Sequence, residues 1–156
     1  MELIGCLVTT LCILARHEFS ETLFEAQSAA FDYLIRGVSL LPSTTDQNAL
    51  DIDEFVILVK ALNVLSNGFW NHARTLYEGD KYSMAIRFLL QACEISSRLC
   101  TLGRDDILPP EFREVLRGLR DRLPRRWQAL AESYLKIGDR RVCLICLHFD
   151  CNLTTV

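Results

Sequence analysis

The sequence is poor in the residues that make tight turns. Its 156 residues include 7 Gly and 4 Pro, too few for the many turns of a β-sandwich or barrel. It also lacks a long apolar run: the uncharged stretch 3–15 is shorter than the roughly 20 residues that a membrane-spanning helix needs. The net charge of −3 gives no general attraction to nucleic acid or to an anionic membrane. With 50% hydrophobic residues, the chain is expected to fold as an all-α protein, with neither nucleic acid nor a membrane as a partner.

No group of residues has the spacing of a catalytic site. The three histidines, His17, His72 and His148, have no carboxylate or serine at a spacing that would assemble a triad. A phosphate-binding glycine-rich loop, a metalloprotease motif and paired catalytic carboxylates do not stand out either. We therefore expect no catalytic residue, no cofactor and no enzymatic activity within this chain.

Seven cysteines make an odd number and are irregularly spaced. Cys6, Cys12, Cys93 and Cys100 have apolar neighbours, which is typical of small core residues in a reducing compartment. The expected location is the nucleus and cytoplasm.

The C-terminal residues suggest one alternative to a purely structural role for the cysteines, which is a metal site. Cys143, Cys146, His148 and Cys151 resemble a zinc ligand set. However, the spacing after Cys146 is tight for a closed tetrahedral site, and the residues between the ligands are core-like. A small zinc-binding protein therefore stays the weaker alternative. Because an apolar run replaces the amphipathic helix expected after residue 141, we also hypothesise that the C-terminus is truncated or mispredicted.

The pattern of helices and loops divides the chain into five segments. They are an N-terminal helical pair (1–42), a loop (43–50), a first clear repeat with its preceding helix (51–100), an inserted charged helix (101–126) and a second, truncated repeat (127–156). The first helix, about 3–16, is apolar all round and is expected to be buried. Gly37 is a candidate end for the second helix, and Asn67-Gly68 either interrupts the third helix or lies within it. The charged helix is expected over 111–122, ending before Pro124.

Two stretches, 69–92 and 127–139, follow the tetratricopeptide pattern of a large residue, a small residue, a turn with glycine, and alanine at helical spacing. The residues on this pattern are Phe69, Ala73, Leu76, Tyr82, Ala85 and Ala92 in the first stretch and Trp127, Ala131, Tyr134 and Gly138 in the second. The two units lie 58 residues apart, which exceeds the repeat length of about 34 residues. The predicted fold is therefore an irregular tetratricopeptide-like array of antiparallel helical hairpins, a fragment of an α-solenoid; a generic helical bundle is the alternative.

Stacked hairpins of this kind offer a concave surface to a protein partner. Asn71, Arg74, Glu78 and Arg87 are the candidate partner-binding residues. A basic run consists of Arg113, Arg117, Arg120, Arg122, Arg125 and Arg126. It is interpreted as a solvated linker helix rather than as a site for phosphate or an acidic partner.

The segment Asn63-Val-Leu-Ser-Asn-Gly-Phe-Trp-Asn-His-Ala-Arg-Thr-Leu-Tyr-Glu, with its continuation to Cys93, resembles the helical-repeat region of fungal separases. So does the segment 126–141, and meiotic synapsis-initiation repeat proteins are the rival family. In separases this region is part of a large superhelix that binds the inhibitory chaperone securin, and a distant cysteine protease domain cleaves cohesin. That protease domain, with its His and Cys dyad, has no counterpart here.

The resemblance implies a non-catalytic interaction scaffold that acts in sister chromatid separation, with a securin-like inhibitor or another chain segment as its protein partner. The alternatives are the remnant of a parent cysteine endopeptidase, which has lost its protease domain, and a generic meiotic or chromosomal repeat scaffold.

Overall fold

The computed structural model describes residues 1–19, 24–42, 50–101 and 108–139, and every regular element in these ranges is an α-helix. The helices are α1 (Glu2–Phe19), α2 (Phe24–Ser39), α3 (Ile52–Glu78), α4 (Tyr82–Cys100) and α5 (Pro110–Lys136). The predicted all-α class is confirmed. None of these helices combines the length and the apolar character that crossing a membrane requires.

Helix α3 is long because its start is capped and its middle is packed. The Asp51 carboxylate accepts a hydrogen bond from the backbone N–H of Glu54 at 2.8 Å, which satisfies one of the unpaired donors of the first turn. The helix runs through Asn67 and Gly68 without a break. A Cβ at Gly68 would lie 3.3 Å from Leu34 of α2, so this glycine allows close approach of two helices and is not in a turn. Of the two predicted alternatives for the third helix, the one in which it continues through Asn67 and Gly68 is confirmed.

Two helices end in the same kind of turn. After α3, Asp80 has a φ of 59° and the N–H of Lys81 donates to the carbonyl of Leu76 at 2.9 Å. After α5, Gly138 has a φ of 86° and the N–H of Asp139 donates to the carbonyl of Tyr134 at 2.9 Å. These are Schellman-type ends with one left-handed residue. The left-handed positions 80 and 138 are 58 residues apart, although the letters Gly-Asp in the two turns are offset by one.

The observed length of helix α5 contradicts the expected division of the C-terminal half into segments 101–126 and 127–156. The short helix 111–122 was expected to end before Pro124, but α5 continues through Pro124 to Lys136. An internal proline costs a helix about 3 kcal/mol. The buried side chains of Leu123 and Trp127 on either side are anchored in the core and hold the helix together. The expected boundary between 126 and 127 thus lies inside one helix.

Two expectations about the N-terminal pair are also wrong. Only Val8 and Ala15 of α1 are buried, whereas Leu3 is 73% exposed and Cys6 lies at the surface, because one face of α1 has no neighbour among the described residues. Gly37 does not end α2. It lies inside the helix, where a Cβ would come within 2.8 Å of Leu65 of α3.

The helices form two layers. Helices α1, α3 and α5 run parallel to one another: Phe19 stacks on His72 near the ends of α1 and α3, and Tyr77 of α3 contacts Glu132 of α5. Helices α2 and α4 run antiparallel to them in the second layer. Extensive contacts within the described ranges join only helices that are adjacent or next but one in the chain. Four aromatic rings contact one another between the layers: Phe19, Phe31, Phe69 and Phe88.

Candidate interaction groove

An open groove lies between the parallel helices α1 and α3. Two adjoining cavities of about 500 and 630 Å³ share Thr9 and Val64 and together form what we call the α1–α3 groove. The half near the C-terminal ends of the two helices, hereafter the C-terminal half, is lined by Thr9, Cys12, Ile13, Arg16, Phe19, Val64, Asn67, Gly68, Asn71, His72 and Thr75. The other half is lined by Glu2, Gly5, Cys6, Thr9, Thr10, Ile57, Lys60, Ala61 and Val64.

Among the described residues, the lining of the C-terminal half combines apolar with polar side chains and includes no acidic one. Arg16 is exposed there and forms no ion pair among the residues that the structure describes. Asn67 and Asn71, one helical turn apart on α3, add two carboxamides. Burial raises the pKa of the nearby Cys12 thiol to about 11, so this cysteine is protonated and unreactive near neutral pH. Arg16 and the two carboxamides give this half several hydrogen-bond donors.

Arg126 of α5 lies buried directly behind Asn67. Its guanidinium donates to the hydroxyls of Ser66 and Ser96 and, at 3.0 Å, to the carboxamide oxygen of Asn67. It also lies 5.3 Å from the centre of the Trp70 ring. Only 2% of the residue is exposed, and burial lowers the pKa of the guanidinium to about 10, so it remains charged near neutral pH. All three of its hydrogen-bond partners are neutral.

The assignment of Arg126 to a solvated linker helix is wrong, although the other five arginines of that run are exposed. A signal was present in the sequence. Leu116, Leu119, Leu123, Leu130 and Ser133 recur at helical spacing and are buried, and Arg126 falls on that same stripe. Sequence reasoning grouped the arginines by charge and missed this register.

His72 closes the C-terminal end of the groove. Its ring stacks on Phe19 with a centroid distance of 4.1 Å and meets Phe88 edge-on. Burial, with a smaller contribution from the Arg16 charge, lowers the pKa of His72 to about 4. The imidazole is therefore neutral at pH 7 and packs as an aromatic ring.

The four candidate partner-binding residues do not share one surface. Asn71 lies in the groove. Arg74 and Glu78 pair with each other at 3.1 Å on the exposed side of α3. Arg87 lies on α4, in the other layer, where its guanidinium is 4.4 Å from the centre of the Phe31 ring.

The residues on the repeat pattern lie mainly in the core. Phe69, Ala73, Leu76, Ala85, Ala92, Trp127 and Ala131 are buried, Tyr82 and Tyr134 are half-buried, and Gly138 is exposed in its turn. The 58-residue offset pairs Phe69 with Trp127 and Ala73 with Ala131 on α3 and α5.

The described ranges contain no group of three or more His, Cys, Asp or Glu residues able to hold a metal ion. The candidate ligands Cys143, Cys146, His148 and Cys151, like the residues of the supposed truncated end, lie outside the described residues. Comparison with known proteins gives no match at any of three levels: no family model, no curated protein and no solved structure matches the chain.

Proposed function

We propose that the chain is a non-catalytic, tetratricopeptide-like interaction scaffold that binds a segment of another protein along the α1–α3 groove. The observation that supports this proposal is the open groove between the parallel helices α1 and α3, which is lined by two carboxamides and by apolar side chains. Among the described residues, extensive contacts join only helices that are adjacent or next but one in the chain, which favours a stacked array over a closed bundle, in which the first and last helices would pack extensively.

Site-specific photo-cross-linking tests this function. A photoreactive phenylalanine analogue replaces Ile13 or Val64, which line the groove, or Arg36, which is exposed on α2. We expect the two groove positions to cross-link to the same segment of a partner protein, identified by mass spectrometry, while position 36 does not. Equal labelling from all three positions, or none from the groove, would reject the groove as a binding site.

We further propose that this scaffold is separase-like and acts in sister chromatid separation with a securin-like partner. The support is the residue pattern of 63–93 and 126–141, together with the shared 58-residue offset of Phe69, Ala73 and Asp80 from Trp127, Ala131 and Gly138. Transcript sequencing across the neighbouring genomic region tests it. A downstream His and Cys protease domain in the same frame would favour the remnant of a parent endopeptidase, and further helical repeats alone would favour a generic chromosomal scaffold.

A further inference from the structure

We infer that the C-terminal half of the α1–α3 groove selects an acidic protein segment, whose side-chain carboxylate is held by Arg16, Asn67 and Asn71. This inference rests on the proposed function and specifies the chemistry of the partner. Its support comes from three separate features of the groove: the hydrogen-bond donors, the buried charge behind them and the apolar residues beside them.

Within the described ranges, the hydrogen-bond donors of the C-terminal half have no anionic acceptor. The carboxamide oxygen of Asn67 already accepts from Arg126 at 3.0 Å, and its nitrogen donates to Asn63 at 3.2 Å. Because a carboxamide nitrogen carries two hydrogens, Asn67 has one N–H left to donate. Arg16 adds a fork of donors in the same half of the groove. A carboxylate, which only accepts, complements this set.

Arg126 adds a positive charge behind the donors. A buried guanidinium hydrogen-bonded to neutral groups keeps a field that water screens poorly. Among the described groove residues, Asn67 is the one to which it hydrogen-bonds, so its field acts on the C-terminal half of the groove. Helix α5 as a whole also carries more basic than acidic residues, although the chain is acidic overall. An anion in the groove would supply the counter-charge that Arg126 lacks among the described residues.

Apolar side chains lie one helical turn from these donors. Ile13 precedes Arg16 by three residues on α1, and Val64 precedes Asn67 by three on α3. They are 64% and 39% exposed. Three helical residues span about 5 Å, a distance that one or two residues of an extended peptide cover. The preferred segment therefore carries an acidic residue next to, or one residue away from, a large apolar residue.

Selection from a phage-displayed library of random dodecapeptides on the full chain tests the inference. We expect enriched sequences to combine Asp or Glu with a neighbouring Leu, Ile or Phe. By fluorescence anisotropy, Arg16→Glu should weaken the best peptide about ten-fold or more, because attraction becomes repulsion. A peptide with Gln in place of its acidic residue should also bind more weakly. Arg36→Glu, the same charge reversal on exposed α2, should leave the affinity unchanged, and circular dichroism should show both variants folded.

The inference is overturned if neutral or basic sequences are enriched, if Glu and Gln peptides bind equally, or if Arg16→Glu loses no more than Arg36→Glu. Those results would leave the groove as a protein-binding site of other chemistry. Failure to enrich any peptide also overturns it, and cross-linking from positions 13 and 64 then decides separately whether the groove binds a protein at all.

Discussion

At the scale of single residues, a buried arginine and two buried serines lie where helices α3, α4 and α5 meet. Ser66 of α3 and Ser96 of α4 hydrogen-bond to each other at 2.8 Å, and Arg126 of α5 donates to both. Removing a guanidinium from water costs several kcal/mol, which neutral hydroxyls offset only in part. Burying this arginine therefore costs free energy. Its role is to join the three helices through hydrogen bonds or to supply a positive field.

The charge of Arg126 should contribute little to stability. Arg126→Met keeps an unbranched, largely apolar stem but lacks the guanidinium, so the desolvation cost disappears while the two serines keep their mutual hydrogen bond. We expect the free energy of unfolding, measured in urea at pH 7, to stay unchanged or to rise by up to about 2 kcal/mol.

The matched variant Ser66→Ala with Ser96→Ala keeps the charge and removes two of its acceptors. We expect it to lose about 3 kcal/mol, since the buried cation is then less compensated. If Arg126→Met is the more damaging change, the charge itself stabilises the fold.

His72 should make the fold sensitive to mild acid. Its pKa is lowered from 6.5 to about 4, so protonation favours the unfolded chain. The stability that the neutral ring provides is fully present above pH 6.5 and is lost as the pH falls towards 4, by at most about 3 kcal/mol. Urea denaturation between pH 7.5 and 4.5 measures this loss. His72→Phe keeps the aromatic packing, and its stability should fall less over that range; parallel curves would contradict the assignment.

At the scale of elements, the two Schellman-type turns reach the same backbone conformation with different residues. Both require a left-handed residue, supplied by Asp80 after α3 and by Gly138 after α5. Asp tolerates this conformation better than most side chains. The carboxylate of Asp80 also accepts a hydrogen bond from the Tyr82 hydroxyl at 2.5 Å, which raises the pKa of that tyrosine.

Gly138→Ala isolates the backbone cost of this turn. A Cβ at Gly138 meets nothing within 4 Å, but the φ of 86° disfavours any L side chain. We expect a loss of about 1 kcal/mol in the free energy of unfolding.

Gly79→Ala is the control for Gly138→Ala. Gly79 has a φ of −92°, and an added Cβ would meet ordinary contacts at 3.4 Å or more. Gly79→Ala should therefore change the free energy of unfolding very little. Equal losses at the two positions would show that the left-handed conformation is not the cause.

At the scale of the whole molecule, one outer face of α1 is apolar and unpaired among the described residues. Leu3, Leu7 and Leu14 recur at helical spacing and are 73%, 42% and 42% exposed. An array of the proposed kind exposes the outer face of its terminal helix. Exposed apolar faces of this kind promote association.

We expect the chain to self-associate as its concentration rises, which sedimentation equilibrium measures. Leu3→Gln with Leu7→Gln should lower the average mass towards that of the monomer, because it removes part of the apolar face. Ile52→Gln, which changes a residue 53% exposed at the start of α3, should not. A mass independent of concentration in the unaltered chain would count against this surface.

Sequence reasoning predicted the helical class, a helix start at residue 111 next to the observed start of α5, and the positions of both glycine-containing turns, because prolines and helical periodicity act over a few residues. Asn71, which was predicted to bind a partner, lies in the groove. Sequence reasoning missed the pairing of α1 with α3, and hence the groove, because helices separated by some fifty residues carry no shared local signal. It also broke α5 at Pro124, where the cost of the proline is local but the packing that offsets it is not.

The amino-acid sequence by itself determined which segments form helices and where the two tight turns lie, since these depend on propensities within one or two turns of the chain. The helical stripe places position 126, and not 125, on the inner face of α5, but only the tertiary structure decided that the charged side chain of Arg126 is buried there. Its acceptors Ser66 and Ser96 lie 60 and 30 residues away, and a charge enters a core only where distant helices bring its partners together.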